Sequence, residues 1–212
     1  MRAPAVCVLA STLGLACALA FAQGDDKKTD DPKAPVNPFA EAKEGDWETL
    51  VMTHTQGSAP ARKFAVTYRA GKIADESITI ATETLMGNGK KNPPAEKTFK
   101  KTEAPALKSV VGNPRDKITE VKVADEKKTV GGKEFACKKV SYTATLESDK
   151  GAITRKIVLW LSTDAKPYGL VASSTEQSIG GGPTVKIEGE LAGLGNGDKA
   201  SWGKKAEELD LK

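Results

Sequence analysis

The segment "VGGKEFACKKVSYTATLESDKGAITRKIVLWLS", residues 130–162, decides the fold. Apolar side chains recur in it at every second position, as at Val140, Tyr142 and Ala144, which is the period of a half-buried β-strand. The Gly131-Gly132 pair matches a two-residue hairpin turn, because glycine takes the positive φ values that tight turns require. A parallel return needs a crossover of about a dozen residues, and the connections here are shorter. Consecutive strands are therefore predicted to be antiparallel.

The same alternation extends over most of the chain and predicts one domain at 45–200. We expect a mainly β fold, a curved antiparallel meander or half-barrel with one or two short helices. Helix formers predict those helices near 104–112 and within a C-terminal tail at 201–212. Residues 87–101 are predicted to be a long exposed loop, since Pro93-Pro94 is incompatible with a central strand.

The strand that carries Cys137 changes phase. Phe135 and Cys137 occupy odd positions, whereas the apolar residues from Val140 onward occupy even ones. One extra residue at Lys138-Lys139 would re-register the strand, so we predict a β-bulge there. Cys137 is then expected as a small buried hydrophobe beside Phe135.

The N-terminus has the pattern of a secretory signal peptide at 1–22, with an apolar core and cleavage after Ala22. Lipidation at Cys17 and an uncleaved anchor are the alternatives. The segment 23–44 is rich in Asp, Lys, Pro and Ala and is predicted to be a disordered tether. No later stretch approaches the ~18 apolar residues of a span, so we expect an exported, periplasmic or extracellular chain without a membrane span after cleavage.

Composition excludes several classes of function. The net charge of +4 is spread over interspersed Lys and acidic residues, so we expect no nucleic-acid partner. Of three cysteines only Cys137 follows the signal peptide, so an internal disulfide is not expected.

No catalytic residue, metal ligand or cofactor is assigned from sequence. His54 is the only histidine, and one histidine with one cysteine makes a usual zinc site or a Cys-His pair improbable. Serine-hydrolase signatures and phosphate-binding spacings are missing. Glu188 and Glu190 share one strand face, as glycosidase carboxylates might, but such alternation usually marks the solvated face of an edge strand.

The segment "IVLWL", 157–161, is apolar on both faces. A strand of this kind is central and covered on both sides, or it exposes Trp160 to an apolar partner. The ordinary interpretation places Trp160 under a loop or helix.

The runs "GDWETLVMT", "GGKEFACKKVSY", "IVLWLSTDAKPYGLV" and "EGELAGLG" resemble uncharacterised exported bacterial domains of the planctomycete and myxobacterial type. More distantly, the curving strands are similar to the half-barrel of periplasmic lipoprotein carriers, although the helices expected as a plug are missing. This second resemblance implies a concave apolar face that holds acyl chains.

The expected function is that of a non-enzymatic binding or interaction module of the cell envelope. Its partner would be an envelope protein or an apolar small molecule lying on the concave sheet. The tentative ligand face consists of five aromatic residues: Phe64, Tyr68, Phe135, Tyr142 and Trp160. Core filling by the same residues is one alternative, and a hydrolase-type enzyme of unrecognised class is another.

Overall fold

A computed structural model describes residues 31–149, 151–180 and 182–211. The predicted signal peptide and the first part of the predicted tether, 23–30, lie outside the described residues. The ten strands, one helical turn and one 3-10 turn are β1 Asp46–Gln56, β2 Arg62–Ile73, β3 Ser77–Met86, β4 Ala95–Lys100, α1 Leu107–Val110, β5 Lys117–Val130, β6 Lys133–Leu146, β7 Ile153–Leu161, β8 Leu170–Ile179, β9 Val185–Asn196, β10 Lys199–Gly203 and the 3-10 turn Ala206–Glu208.

The strands form one antiparallel sheet that is not closed, which confirms the predicted fold class. Its order is β4-β3-β2-β1-β9-β8-β7-β6-β5, and β10 pairs with the end of β9. Two meanders, β1 to β4 and β5 to β9, are thus joined where β1 pairs with β9. Gly131 and Gly132 have φ values of 53° and 78° and form the β5-β6 hairpin turn, as predicted.

Two neighbouring rows of cross-strand partners define the faces of the sheet, because directly opposed residues point to the same side. The inner row runs through Val123, Val140, Leu159, Ser173, Gly189, Met52, Phe64 and Met86. The outer row runs through Ala124, Lys139, Trp160, Ala172, Glu190, Val51, Ala65 and Leu85. Below, "inner face" and "outer face" mean the sides that carry these rows.

The inner face carries the main core. It is covered by the segment before β1, by α1 and by the β7-β8 loop, which contribute Phe39, Leu107, Val110, Ala165 and Tyr168. The outer face has a smaller apolar cluster over β1 to β3, where the C-terminal tail contributes Ala206 and Leu211. The two faces are therefore covered unequally.

Three predicted segments differ from the structure. Residues 31–44, expected to be tether, contribute Ala34, Phe39 and Ala42 to the core. The expected loop at 87–101 contains strand β4, which is an edge strand and so tolerates the preceding prolines. The tail contains the end of β10 and a 3-10 turn rather than an α-helix, whereas α1 confirms the short helix expected near 104–112.

The predicted bulge at Lys138-Lys139 is also absent, since β6 pairs with β5 and β7 in unbroken register there. The phase change in burial has another cause. Strand β7 ends at Leu161, opposite Lys138, so the first residues of β6 extend beyond it and have different neighbours. Phe135 packs edge-on against Trp202 of β10, with ring centroids 5.8 Å apart. Burial of Cys137, which is 5% exposed, is confirmed.

No helix in the described ranges combines the length and the apolar character that a membrane crossing requires.

Candidate functional site

The five aromatic residues predicted as a ligand face do not form one surface. Phe64, Tyr68 and Tyr142 lie on the inner face, where Tyr68 and Tyr142 are buried. Trp160 lies on the outer face, and Phe135 packs at the end of the β5-β6 hairpin against Trp202.

The inner face is filled by the protein itself. The rings of Tyr68 and Tyr168 stack in parallel with centroids 4.3 Å apart, and Phe39 stacks on Phe99 at 4.7 Å. The Tyr142 hydroxyl donates to the carbonyl of Val111 at 2.8 Å, just after α1. Covering segments thus occupy the face that carries Phe64, Tyr68 and Tyr142, three of the five residues predicted to contact a ligand.

Glu48 is a fully buried carboxylate on the inner face, opposite Tyr68. It accepts hydrogen bonds from the backbone N–H groups of Tyr168, Gly169 and Leu170 at 3.1, 3.0 and 3.3 Å. Burial raises the pKa of Glu48 to about 8, and the three N–H donors oppose that rise. The carboxylate anchors the β7-β8 loop across the core and has no access to solvent, so its role is structural.

Asp116 and Arg155 form a second buried polar contact on the inner side. The Arg155 guanidinium donates to both Asp116 carboxylate oxygens at 2.8 and 2.6 Å and to Gln177 at 3.0 Å. The Asp116 side chain has no exposed surface. The pair fixes the turn before β5 onto β7.

His54 and Cys137 lie in separate surroundings. His54 is buried among Arg62, Phe64 and Met86, and its Nε2 has no hydrogen-bond partner among the described residues. Burial lowers the pKa of His54, and the nearby Arg62 charge lowers it further. Burial raises the pKa of the Cys137 thiol to about 11, so this thiol is a weak nucleophile at neutral pH.

A groove of about 360 Å³ lies mostly on the outer face. Its lining comes from β1, β5, β7, β8 and β9: Val51, Thr53, Lys128, Trp160, Ala172, Ser173, Ser174, Glu188, Gly189 and Glu190. The C-terminal tail covers the outer face over β1 to β3 and, through Trp202, at Phe135 near the β5-β6 turn, which leaves the middle of this face accessible. We call this feature the outer groove.

Trp160 is the aromatic wall of the outer groove. Its indole N–H donates to a carboxylate oxygen of Glu126 at 2.8 Å, and Lys139 donates to the other oxygen at 2.9 Å. The hydrogen bond from Trp160 lowers the pKa of Glu126 most, and the bond from Lys139 lowers it further. The Trp160 side chain is half-buried, and it packs against the main core cluster as well as lining the groove.

Charges of both signs border the Trp160 ring. The ammonium groups of Lys128 and Lys139 lie 4.8 and 5.3 Å from the ring centroid, within cation–π range. Lys128 also lies 3.8 Å from Glu190, so β5 contacts β9 across the groove although the two strands are not neighbours in the sheet. The outer groove therefore combines an indole surface, an ammonium, carboxylates and hydroxyl groups.

Sequence reasoning recognised parts of this site without assembling it. The alternation places Trp160 on the second face of its strand and Glu188 and Glu190 together on one face of theirs. The Glu188-Glu190 pattern is typical of an edge strand, but β9 lies between β1 and β8 in the interior of the sheet. Lys128 gives no local signal, because only the sheet curvature brings it to the groove.

Within the described ranges, no group of three or more His, Cys, Asp or Glu side chains is arranged to hold a metal ion. No protein-family model matches the chain, and no curated protein matches it either.

Proposed function

We propose that this chain is an exported, non-enzymatic binding module of the cell envelope that holds a saccharide in the outer groove. The observation that carries the proposal is the partly exposed indole of Trp160 in a groove that also carries hydroxyl, carboxylate and ammonium side chains. An aromatic surface beside a few convergent polar groups is typical of small-molecule sites. A sugar ring offers both complements, since its C–H face can lie on an indole and its rim carries hydroxyl groups.

The polar side chains of the lining can both donate hydrogen bonds to the hydroxyl groups of a ligand and accept hydrogen bonds from them. Glu188 and Glu190 can only accept hydrogen bonds when ionised, whereas the Lys128 ammonium can only donate. Thr53 and Ser174 can do either. A hydroxyl group on a ligand can serve each of these partners, which an acyl chain cannot do.

The filled inner face supports this location over an apolar ligand beside Phe64, Tyr68 and Tyr142. Tyr168, Phe39 and Leu107 occupy the space in which an acyl chain would lie. Binding there would require the β7-β8 loop to leave its Glu48 anchor. In the outer groove, a sugar on the Trp160 ring needs a movement only of the Lys128 and Lys139 side chains, whose ammonium groups lie over that ring.

The position of the two carboxylates supports binding rather than hydrolysis. Glycosidase carboxylates flank the scissile bond from opposite sides of the sugar. Glu188 and Glu190 project from the same face of one strand, so they contact a ligand from one side. His54, the other candidate for acid-base chemistry, belongs to the inner-face positions of β1.

Titration of the purified chain with neutral chitotetraose and cellotetraose, measured by isothermal titration calorimetry, tests the proposal. Binding is expected, and loss of the anchoring indole in the variant W160A should lower the affinity by about tenfold or more. The matched control is W202F, whose indole packs against Phe135 away from the groove lining and whose affinity should be unchanged.

Two further measurements complete the test. Native mass spectrometry of protein taken from its own envelope should show a bound species that W160A lacks. A ligand-free spectrum together with no response to either saccharide would overturn the proposal. Chromatography of the tetrasaccharides after incubation should return them intact, whereas cleavage products would favour the hydrolase alternative.

A further inference from the structure

The sheet has two free edges of different length. The β4 edge has six residues and follows Pro93-Pro94, which limits pairing with another strand. The β5 edge has fourteen residues, but a bulge at Glu120-Val121 interrupts it, so the regular edge runs from Lys122 to Val130. Among the described strands β5 pairs with β6 alone. A long free edge presents a row of backbone N–H and C=O groups that another strand can use.

The middle of the β5 edge also exposes apolar side chains. Val121 and Val123 are 40% and 52% exposed, and with Ile179 they are the exposed large hydrophobic residues of the described ranges. Val123 belongs to the inner row, opposite the fully buried Val140. The inner-face apolar surface therefore continues past the core to this edge.

We propose that the β5 edge is the contact surface for a second copy of this chain. The two β5 strands pair antiparallel around a two-fold axis that passes beside Ala124. Pairing of this kind extends the sheet across the interface and buries the same surface on both copies. The inference does not require a saccharide in the outer groove, although Glu126 contributes both to this edge and to the position of Trp160.

Backbone geometry limits the registers that two β5 strands can adopt. Only alternate residues of a strand direct their N–H and C=O groups toward the free edge, and directly opposed residues must match in this respect. The two-fold axis must therefore pass beside a residue, which then stands opposite the same residue of the second copy. With the axis beside Lys122, Asp125 or Glu126, that charged residue stands opposite the same residue of the second copy. Like charges directly opposed destabilise a strand pair.

The register centred on Ala124 opposes unlike charges. It places Lys122 opposite Glu126 of the second copy, and symmetry makes this contact twice. The register centred on Val123 makes no such pair. Lys122 is exposed and forms no ion pair with any described residue, so it is available for this contact.

The apolar residues also meet in the register centred on Ala124. The two Val123 side chains become diagonal neighbours about 7 Å apart on the inner side, within reach of each other. Each Val123 stands directly opposite Asp125 of the other copy. The contact involves a single strand from each copy, so its area falls at the low end for interfaces and the dissociation constant should be micromolar, about 1 to 100 µM.

Sedimentation velocity of the purified chain between about 1 and 300 µM tests this inference. The wild-type chain should pass from monomer to dimer over that range. V123D places a carboxylate opposite Asp125 of the second copy and should weaken the dimer by about tenfold or more. V123K removes the same apolar side chain but places an ammonium opposite Asp125, so the dimer should persist.

Two further variants locate the contact. K122E opposes two carboxylates and should weaken the dimer, whereas K100E, on the β4 edge, should leave it unchanged. Circular dichroism confirms that each variant is folded. A wild-type chain that stays monomeric, equal loss in V123D and V123K, or loss in K100E would each overturn the proposed interface.

Discussion

The inner and outer faces of the sheet follow the same strands and the same period of two, yet the inner face carries most of the core and the outer face keeps an open groove. Leu159 and Trp160 are neighbours in β7. Leu159 is buried in the core, whereas Trp160 lines the open groove. The difference lies in the covering segments. Residues 31–44, α1 and the β7-β8 loop all fold onto the inner face, whereas the outer face receives only the C-terminal tail. Alternation thus defines two faces, and the connections decide which one becomes the core.

The largest expected difference between the faces concerns the ion pair on the inner side. The variant R155M leaves the Asp116 carboxylate buried without its cation and should lower the free energy of unfolding by about 3 to 5 kcal/mol. Urea unfolding measures this loss. R115M is the matched control, because Arg115 is exposed, and it should change stability by less than about 0.5 kcal/mol. Equal effects of the two variants would contradict the structural role of the pair.

Truncation of adjacent residues in β7 compares the faces directly. L159A opens a cavity in the inner core and should cost about 2 to 5 kcal/mol. V158A, on the outer face between Ser141 and Ser174, should cost less than about 1 kcal/mol. Thermal or urea unfolding of both variants would show the asymmetry. A larger loss in V158A would mean that the outer face, and not the inner one, carries the core.

The pH dependence of stability isolates Glu48. In the native state its pKa is about 8, against 4.5 for an unperturbed carboxyl, so between these values the native state holds a proton that the unfolded state has lost. Stability should therefore fall as pH rises through this window, by up to about 1.4 kcal/mol per pH unit.

Urea unfolding at several pH values between these limits would measure this contribution as a difference between variants. E48Q cannot ionise and should lack the Glu48 contribution to the slope. The exposed Glu176 provides the control E176Q, which should retain the wild-type slope. Because His54 is present in all three chains, its own titration cancels in the comparison. Identical slopes in E48Q and wild type would contradict the raised pKa.

The smallest expected effect concerns Cys137, a buried residue at an outer-face position of β6. Its thiol is 5% exposed and its pKa is raised to about 11, so labelling at neutral pH should require opening of the structure. We expect labelling at least about 100-fold slower than for an exposed thiol. S58C adds such a thiol in an exposed turn as an internal reference. Equal labelling rates would show that this end of β6 is open.

The fold could be predicted from sequence because its evidence is local. Period-two alternation, the Gly131-Gly132 turn and short connections each report on a few adjacent residues, and together they define an antiparallel sheet. The failures concern segments whose structure depends on distant partners. Phe39 is buried because its ring packs against Phe99 and Tyr168. The Pro-rich and polar sequence around Phe39 gives no sign of these contacts.

The candidate site was less predictable for the same reason. Sequence alternation put Trp160 and Leu159 on opposite faces, but it could not show which face stayed open. Lys128 reaches Trp160 because the sheet curves, and Glu48 is buried because three N–H groups of a distant loop receive it. Both features depend on pairs more than 30 residues apart in the chain, beyond any local pattern.

The pairing of β1 with β9 has a consequence for the order of events during folding. Asp46 and Asn196, the residues that open the β1-β9 ladder, are separated by 150 positions in the chain. Each meander can form its hairpins early from neighbouring strands, but their union must await the C-terminal strand and close a long loop. A nascent chain that lacks β9 therefore has two half-sheets with exposed central edges, which makes it a good substrate for chaperones that hold unfolded chains.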